Sequence, residues 1–130
     1  MEPIFLTLTD IIQIHQDQIK LYGGSLGIRD MGLLQSAMAM PQAGFGQDYL
    51  HEDIFAMAGA YLFHIARNHP FVDGNKRAAT VAALAFLEFN GLEFDGDQDQ
   101  LEAMVRNVAE GKADKHAVAE FFRRAPYKKI

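Results

Sequence analysis

"KRAATVAALAFLEFNG", residues 76–91, is the stretch on which the architecture turns. From Ala78 to Leu87 every residue except Thr80 is apolar, with none of the period-two alternation of a half-solvated strand. Alanine and leucine are strong helix formers, and a helix apolar nearly all round is one buried on every side. The segment therefore reads as the central helix of the fold (residues 76 to 90), ended by Asn90-Gly91. Broken by Thr80 and followed by Glu88, it is too short to span a bilayer.

Helical periodicity dominates on both sides. Upstream, "IFAMAGAYLFHIARN" repeats apolar residues at Ile54, Met57, Ala58, Tyr61, Leu62 and Ile65, with Asp53 as its N-cap. Earlier, Thr9 is the expected cap of a helix through Ile11, Ile12, Ile19 and Leu21 that stops at Gly23-Gly24. "SLGIRD" reads as a loop, and Asp30 caps a short helix through Leu33, Leu34, Ala37 and Met38, ended before Pro41. Downstream, "LEFDGD" is a short extended connection. It leads into helices from Asp97 to about Glu110 and from Asp114 to about Arg124. "PIFLTL" near the start could form a short edge strand, and "FFRRAPYKKI" reads as a frayed, solvated tail. The expected fold is one all-α domain, residues 1 to 130, built as a compact six-helix bundle.

Composition narrows the function. With 17 acidic against 12 basic residues the net charge is -5, which argues against a general nucleic-acid binder. Cysteine is absent, which rules out disulfides and thiolate metal sites. "MEPIFLTLTD" lacks the basic region and apolar length of a signal peptide, so a cytoplasmic protein with no membrane partner is expected. There is no zinc-type His-Glu-x-x-His and no Gly-x-x-x-x-Gly-Lys-Ser/Thr phosphate loop. His64, five residues before His69, reads as a helix-face residue, and the six methionines read as core filling.

The chemistry gathers just before the central helix, in "NHPFVDGNKR", residues 68–77. A His-Pro pair or an Asp-Gly-Asn turn alone is ordinary loop chemistry. Together, ahead of an apolar helix, they form a constellation. Asn75 sits at the expected N-cap, with Lys76 and Arg77 in the first turn, where free N–H groups favour anions. Cations there oppose the helix dipole by a few tenths to about 1 kcal/mol, and a bound polyphosphate would reverse that penalty. Gly74 lets backbone approach a ligand closely. Asp73 could hold a magnesium ion against phosphate oxygens. His69 could take a proton from an attacking hydroxyl, and Phe71 would anchor the loop in the core.

"HPFVDGNKR" resembles the motif of the Fic/Doc (Fido) family, whose usual form is His-x-Phe-x-Asp/Glu-Gly-Asn-Gly/Lys-Arg. Residues 22–46, "YGGSLGIRDMGLLQSAMAMPQAGFG", resemble the N-terminal segment of its Doc branch, the death-on-curing toxins. The resemblance implies that His69 is the catalytic base, with Lys76 and Arg77 also in the catalytic set. It implies that Asp73 binds magnesium, that Gly74, Asn75 and Lys76 form the anion hole, and that Arg77 pairs with a phosphate. The loop from Gly46 to Asp53 would be the flap that aligns a target segment.

The family implies ATP and Mg2+ as cofactors and one of two reactions. Fic members typically transfer AMP to a protein hydroxyl, whereas the Doc branch phosphorylates a threonine of translation elongation factor Tu. AMP-transferring members usually carry a second glycine where this chain has Lys76, and tend to carry a second arginine where it has Thr80. Both positions favour the kinase, although Gly74 matches the common Fic form. The family's inhibitory Ser/Thr-x-x-x-Glu-Gly/Asn motif has only one near match, "RNVAEG" at 106–111, with Arg106 in the Ser/Thr place. Silencing by a cognate antitoxin acting in trans is therefore implied. A non-catalytic binding or repressor module is the remaining alternative.

Overall fold

The computed structural model describes residues 2–130 and is predominantly helical. Six α-helices follow in order: α1 Leu8–Tyr22, α2 Met31–Ala39, α3 Ile54–Asn68, α4 Asn75–Phe89, α5 Gln98–Ala109 and α6 Lys115–Arg124. A single 3-10 turn, Met40–Gln42, extends α2. Two small antiparallel pairs complete the described chain, β1 Gly44–Phe45 with β2 Asp48–Tyr49, and β3 Leu92–Phe94 with β4 Tyr127–Lys129.

Local chemistry sets the helix starts. Asp30, Asp53, Asp97 and Asp114 each accept an N–H from the first turn of their helices, as expected of N-cap aspartates. α1 begins earlier than expected because Thr7, not Thr9, is the cap. Thr7 Oγ1 accepts from Asp10 N–H at 3.1 Å, while Asp10 Oδ2 accepts from Thr7 N–H at 2.8 Å. This reciprocal capping box satisfies two otherwise orphaned donors, and Thr9 has no partner at the matching spacing.

The helix expected at the centre, residues 76 to 90, is α4, but α3 beside it is the more deeply set of the two. It buries ten residues, from Ile54 to Ala66, and packs against α2, α4, α5 and α6. Its approach to α6 is close: a Cβ at Gly59 would lie 3.1 Å from the Ala119 nitrogen. α4 buries Ala78, Ala79, Ala82, Ala83, Phe86 and Leu87, while Val81, Leu84 and Ala85 stay half-exposed. Val81, with Thr80, lines a surface cleft, and Leu84 and Ala85 pack against the core while only partly buried, so α4 is not buried on every side. Tyr61, Phe71, Phe86 and Phe122 are the largest fully buried side chains, and aromatic rings of this size contribute most of the apolar area a small core removes from water.

Two expectations about the chain ends need correcting. "PIFLTL" forms no strand, because its backbone groups are met by side chains instead of a ladder. Asn90 Oδ1 accepts from Ile4 N–H at 2.8 Å, Asn90 Nδ2 donates to Ile4 O at 3.0 Å, and Leu6 N–H donates to the Tyr61 hydroxyl at 3.0 Å. The C-terminal tail, in turn, is not frayed. Tyr127, Lys128 and Lys129 pair with Phe94, Glu93 and Leu92, and the Tyr127 hydroxyl donates to Phe122 O at 2.6 Å. No helix among the described residues is long and apolar enough to cross a membrane.

Candidate active site

The loop between α3 and α4 and the first turn of α4 together carry the sequence motif. α3 ends in His69, whose φ 48 and ψ 54 place it in the left-handed region. Among the described residues it is the one non-glycine with positive φ. Such a conformation costs an ordinary residue about 1–2 kcal/mol, and strain of this kind concentrates at functional positions. Phe71 buries itself to 1% exposure and pins the middle of the loop, as expected, leaving His69, Val72 and Asp73 at the surface.

α4 starts one residue earlier than expected. Gly74 is the N-cap, left-handed at φ 75, and no side chain caps the helix. Thr7, Asp30, Asp53, Asp97 and Asp114 cap the other five helices. Asn75 therefore stands at the first helical position and its amide serves the loop. Its Oδ1 accepts from Phe71 N–H at 2.9 Å and its Nδ2 donates to Phe71 O at 3.0 Å. The first-turn N–H groups of α4 thus remain without a side-chain partner, beside two cations.

Asp73 is held facing that turn. Its Oδ1 accepts from Gly74 N–H at 2.8 Å and its Oδ2 from Ser25 N–H at 3.2 Å. These two backbone donors, and then the Arg77 charge, hold its carboxyl below the usual range, so it is ionised at neutral pH. Arg77 donates to Gln18 O at 3.2 Å and Gly23 O at 3.0 Å, tying α4 to the C-terminal end of α1. Lys76 is exposed and makes no ion pair among the described residues. Thr80 donates to Lys76 O at 2.9 Å, so its hydroxyl proton is turned back on the helix.

Two adjoining clefts meet at Lys76 and Arg77. One, of about 390 Å³, is lined by His69, Val72, Asp73, Gly74, Asn75, Lys76 and Arg77, which brings together every candidate residue of the sequence motif. The other, of about 460 Å³, continues along α4 past Thr80 and Val81 to Tyr22 on α1 and to Glu102 and Arg106 on α5. Among the described residues no three His, Asp or Glu side chains gather into a metal cage. Magnesium on a polyphosphate rarely uses one. It is bound through one or two carboxylates plus the phosphates, and a single exposed, ionised Asp73 beside an uncapped helix start fits that pattern.

Several supporting residues lie outside the motif. His15, on α1, is 2% exposed and stacks flat on Phe71, with ring centroids 3.8 Å apart at 3°. Its Nε2 lies 2.7 Å from Asp73 O, and because a carbonyl only accepts, Nε2 carries the proton. The "SLGIRD" loop is the motif's scaffold: Ile28 bridges Phe71, Val72 N–H donates to Gly27 O at 3.0 Å, and Arg29 N–H donates to Pro70 O at 2.7 Å. Gly24 matters here, since at φ +114 a side chain would be strained and an added Cβ, 2.7 Å from Asp73 Oδ2, would push the Asp73 carboxylate aside. One signal in the sequence pointed at His15. It interrupts the apolar stripe Ile11, His15, Ile19, whose members are all buried.

The segment expected to serve as a flap, Gly46 to Asp53, overlaps a small hairpin that starts earlier. Gly44 pairs with Tyr49 and Phe45 with Asp48, with Gly46 at φ 64 in the turn. Phe45 is 92% exposed at its tip. Residues 50–53 then lead back into the bundle, where His51 is buried. His64, read as a helix-face residue, lies 3.3 Å from Lys115 Nζ. Burial first, and then the Lys115 charge, push its pKa down to about 4. Glu110 of the near-inhibitory "RNVAEG" pairs with Lys112 at 3.0 Å, not with Arg77.

Comparison with known proteins places the chain among similar sequences. The model of the Fic/DOC family matches residues 5–87. The chain is 43% identical over 101 residues to "Toxin Doc" of Mycolicibacterium smegmatis, covering 75% of this chain and 77% of that protein. It is 33% identical over 115 residues to "Protein kinase doc" of Escherichia phage P1, covering 88% and 90% respectively.

Proposed function

The chain belongs to the Fic/DOC family, and we propose that it is a Doc-type toxin, a protein kinase that moves the γ-phosphate of ATP to a protein hydroxyl. The observation that carries this reading is the uncapped start of α4, which opens on a cleft shared by His69, Asp73, Lys76 and Arg77. Free N–H groups at a helix start, reinforced by two cations, suit the phosphates of a nucleotide. One relative carries the name "Protein kinase doc".

Phosphoryl transfer asks the protein mainly for positioning and charge stabilisation. In this reading His69, at the exposed mouth of the cleft, takes the proton of the attacking hydroxyl. Gly74 and the backbone of Asn75 and Lys76 line the anion hole, and the Lys76 ammonium meets charge developing on the transferred group. Arg77, already braced on Gln18 and Gly23 carbonyls, presents its remaining N–H groups to a phosphate. Asp73 would hold Mg2+, which supplies charge neutralisation across phosphate oxygens.

Two side chains support γ-transfer over AMP transfer. Lys76 projects where a glycine would leave room, and Thr80, turned back on the helix, offers no cation where a second arginine would stand. The substrate proposed is a threonine of translation elongation factor Tu, and the regulator a cognate antitoxin in trans. Glu110 is paired with Lys112, which fits the lack of an internal inhibitory glutamate. The test is incubation of elongation factor Tu with ATP labelled at either the γ- or the α-phosphate. Label from the γ-position supports the kinase, label from the α-position makes the protein an AMP transferase, and no transfer leaves a binding module.

A further inference from the structure

The backbone of His69 is strained twice over. It occupies the left-handed region at φ 48 and ψ 54, and it precedes Pro70, a setting that pushes a residue toward extended conformations. Left alone, the His69–Pro70 junction would relax toward extended backbone and swing the imidazole away from the cleft it lines. The end of α3 supplies only one contact of its own, a 3.3 Å bond from His69 N–H to Ile65 O.

Three consecutive carbonyls at this junction are instead gripped by a single residue from another part of the chain. Arg29 Nε donates to His69 O at 2.7 Å, Arg29 Nη2 donates to Asn68 O at 2.8 Å, and Arg29 N–H donates to Pro70 O at 2.7 Å. The planar guanidinium suits two neighbouring carbonyls because its donors sit in a fixed fork. Its charge also complements the negative end of α3. Arg29 is itself held in register by the Ile28–Phe71 bridge and by Asp30, whose N–H also donates to Pro70 O at 3.1 Å. A surface arginine capping a helix would bond the last carbonyls, as the Arg29 guanidinium bonds Asn68 O and His69 O. What a simple cap does not supply is the hold beyond the helix, where the backbone N–H of the same residue fixes Pro70 O on the far side of the strained junction.

We propose that Arg29 is the positioning residue that locks His69 in its left-handed conformation and so fixes the imidazole over the cleft. The inference rests on the proposed role of His69 for its consequence, but not for its structural content. Misplacing a reacting group by about 1 Å can cost roughly 100-fold in rate. Arg29→Ala and Arg29→Gln should therefore lower kcat roughly 10- to 100-fold with little change in KM for ATP. Arg29→Lys, which can reach one carbonyl but not fork across two, should fall between. Added guanidinium should restore part of the Arg29→Ala rate.

The deciding measurement needs no activity. Carbon chemical shifts of His69 in isotopically labelled protein report whether its backbone is left-handed. The expected result is a left-handed signature in the wild type that moves toward extended values in Arg29→Ala and Arg29→Gln, while the shifts of α5 and α6 stay in place. Retention of the left-handed signature in both variants overturns the inference, whatever happens to the rate. If the wild type transfers no phosphate to any target, the proposed function fails, but the shifts still decide the role of Arg29.

Discussion

At Gly24 a single hydrogen atom separates a working arrangement from a collision. Its φ of +114 is one that L side chains rarely adopt, and an added methyl would meet the Asp73 carboxylate at 2.7 Å and Arg77 Nη2 at 3.2 Å. Gly24→Ala should lower transfer roughly 10- to 100-fold by displacing Asp73. It should also cost about 1–2 kcal/mol in chemical denaturation, from the strained φ alone. His15 offers a second test at this scale. His15→Ala removes a ring stacked in the core and a bond to the loop, and should cost about 2–4 kcal/mol in urea unfolding. His15→Gln keeps an N–H the same number of bonds from Cα as Nε2, and should recover a measurable part of that loss. The residues that gather at the candidate cleft were legible in sequence because nine consecutive letters hold them. Their supports were not: Arg29 lies 40 residues from His69, and His15 lies 58 residues from Asp73. Only the folded chain brings such partners within hydrogen-bond reach.

Among the elements, helices were read well where the caps are aspartates and poorly where two candidates compete. Asp30 and Asp53 cap as expected, and Asp97 and Asp114, read as helix starts, are the N-caps of theirs. The Thr7–Asp10 box displaced Thr9 because a reciprocal pair satisfies two donors. Gly74 displaced Asn75 because the amide of Asn75 is drawn into bonding both backbone groups of Phe71. Leu92–Phe94 falls within the connection read as extended, but the pairing of either short hairpin was illegible, since segments so short carry no usable periodicity. The β3–β4 pair gives a direct prediction. Removing residues 127–130 deletes β4 and the 2.6 Å bond from the Tyr127 hydroxyl to Phe122 O, leaving the Phe94 ring without its Tyr127 neighbour. The truncated chain should melt several degrees lower, an effect of roughly 1–3 kcal/mol. A tail that merely frayed would leave the melting temperature unchanged.

For the molecule as a whole, the balance of charge buried against α3 sets a pH response. His51 and His64 both have pKa values lowered by burial and by Lys115, His64 from 6.5 to about 4. A lowered histidine pKa means that the unfolded chain binds a proton the folded chain refuses. Stability therefore rises with pH through that interval, and is lost as pH falls from about 6.5 toward about 4. The His64 contribution is on the order of 2 kcal/mol, read as a falling urea midpoint across that window, and His64→Phe should flatten the slope. The helical class and the central apolar core were legible because α3 and α4 carry long, unambiguous apolar patterns. The ranking of the two was not, since an apolar flank on α4 that lines a cleft looks the same in sequence as one that packs.

Phosphate transfer by the His69 to Arg77 site, as proposed, is read from the intact mass of the target. Purified elongation factor Tu is incubated with ATP, Mg2+ and either the wild-type protein or His69→Ala, and then weighed by mass spectrometry. The expected result is a phosphate-sized increment on the target with the wild type and none with a folded His69→Ala, consistent with a loss of about two to four orders of magnitude in rate. An AMP-sized increment, or a phosphate increment equally fast with His69→Ala, would contradict it.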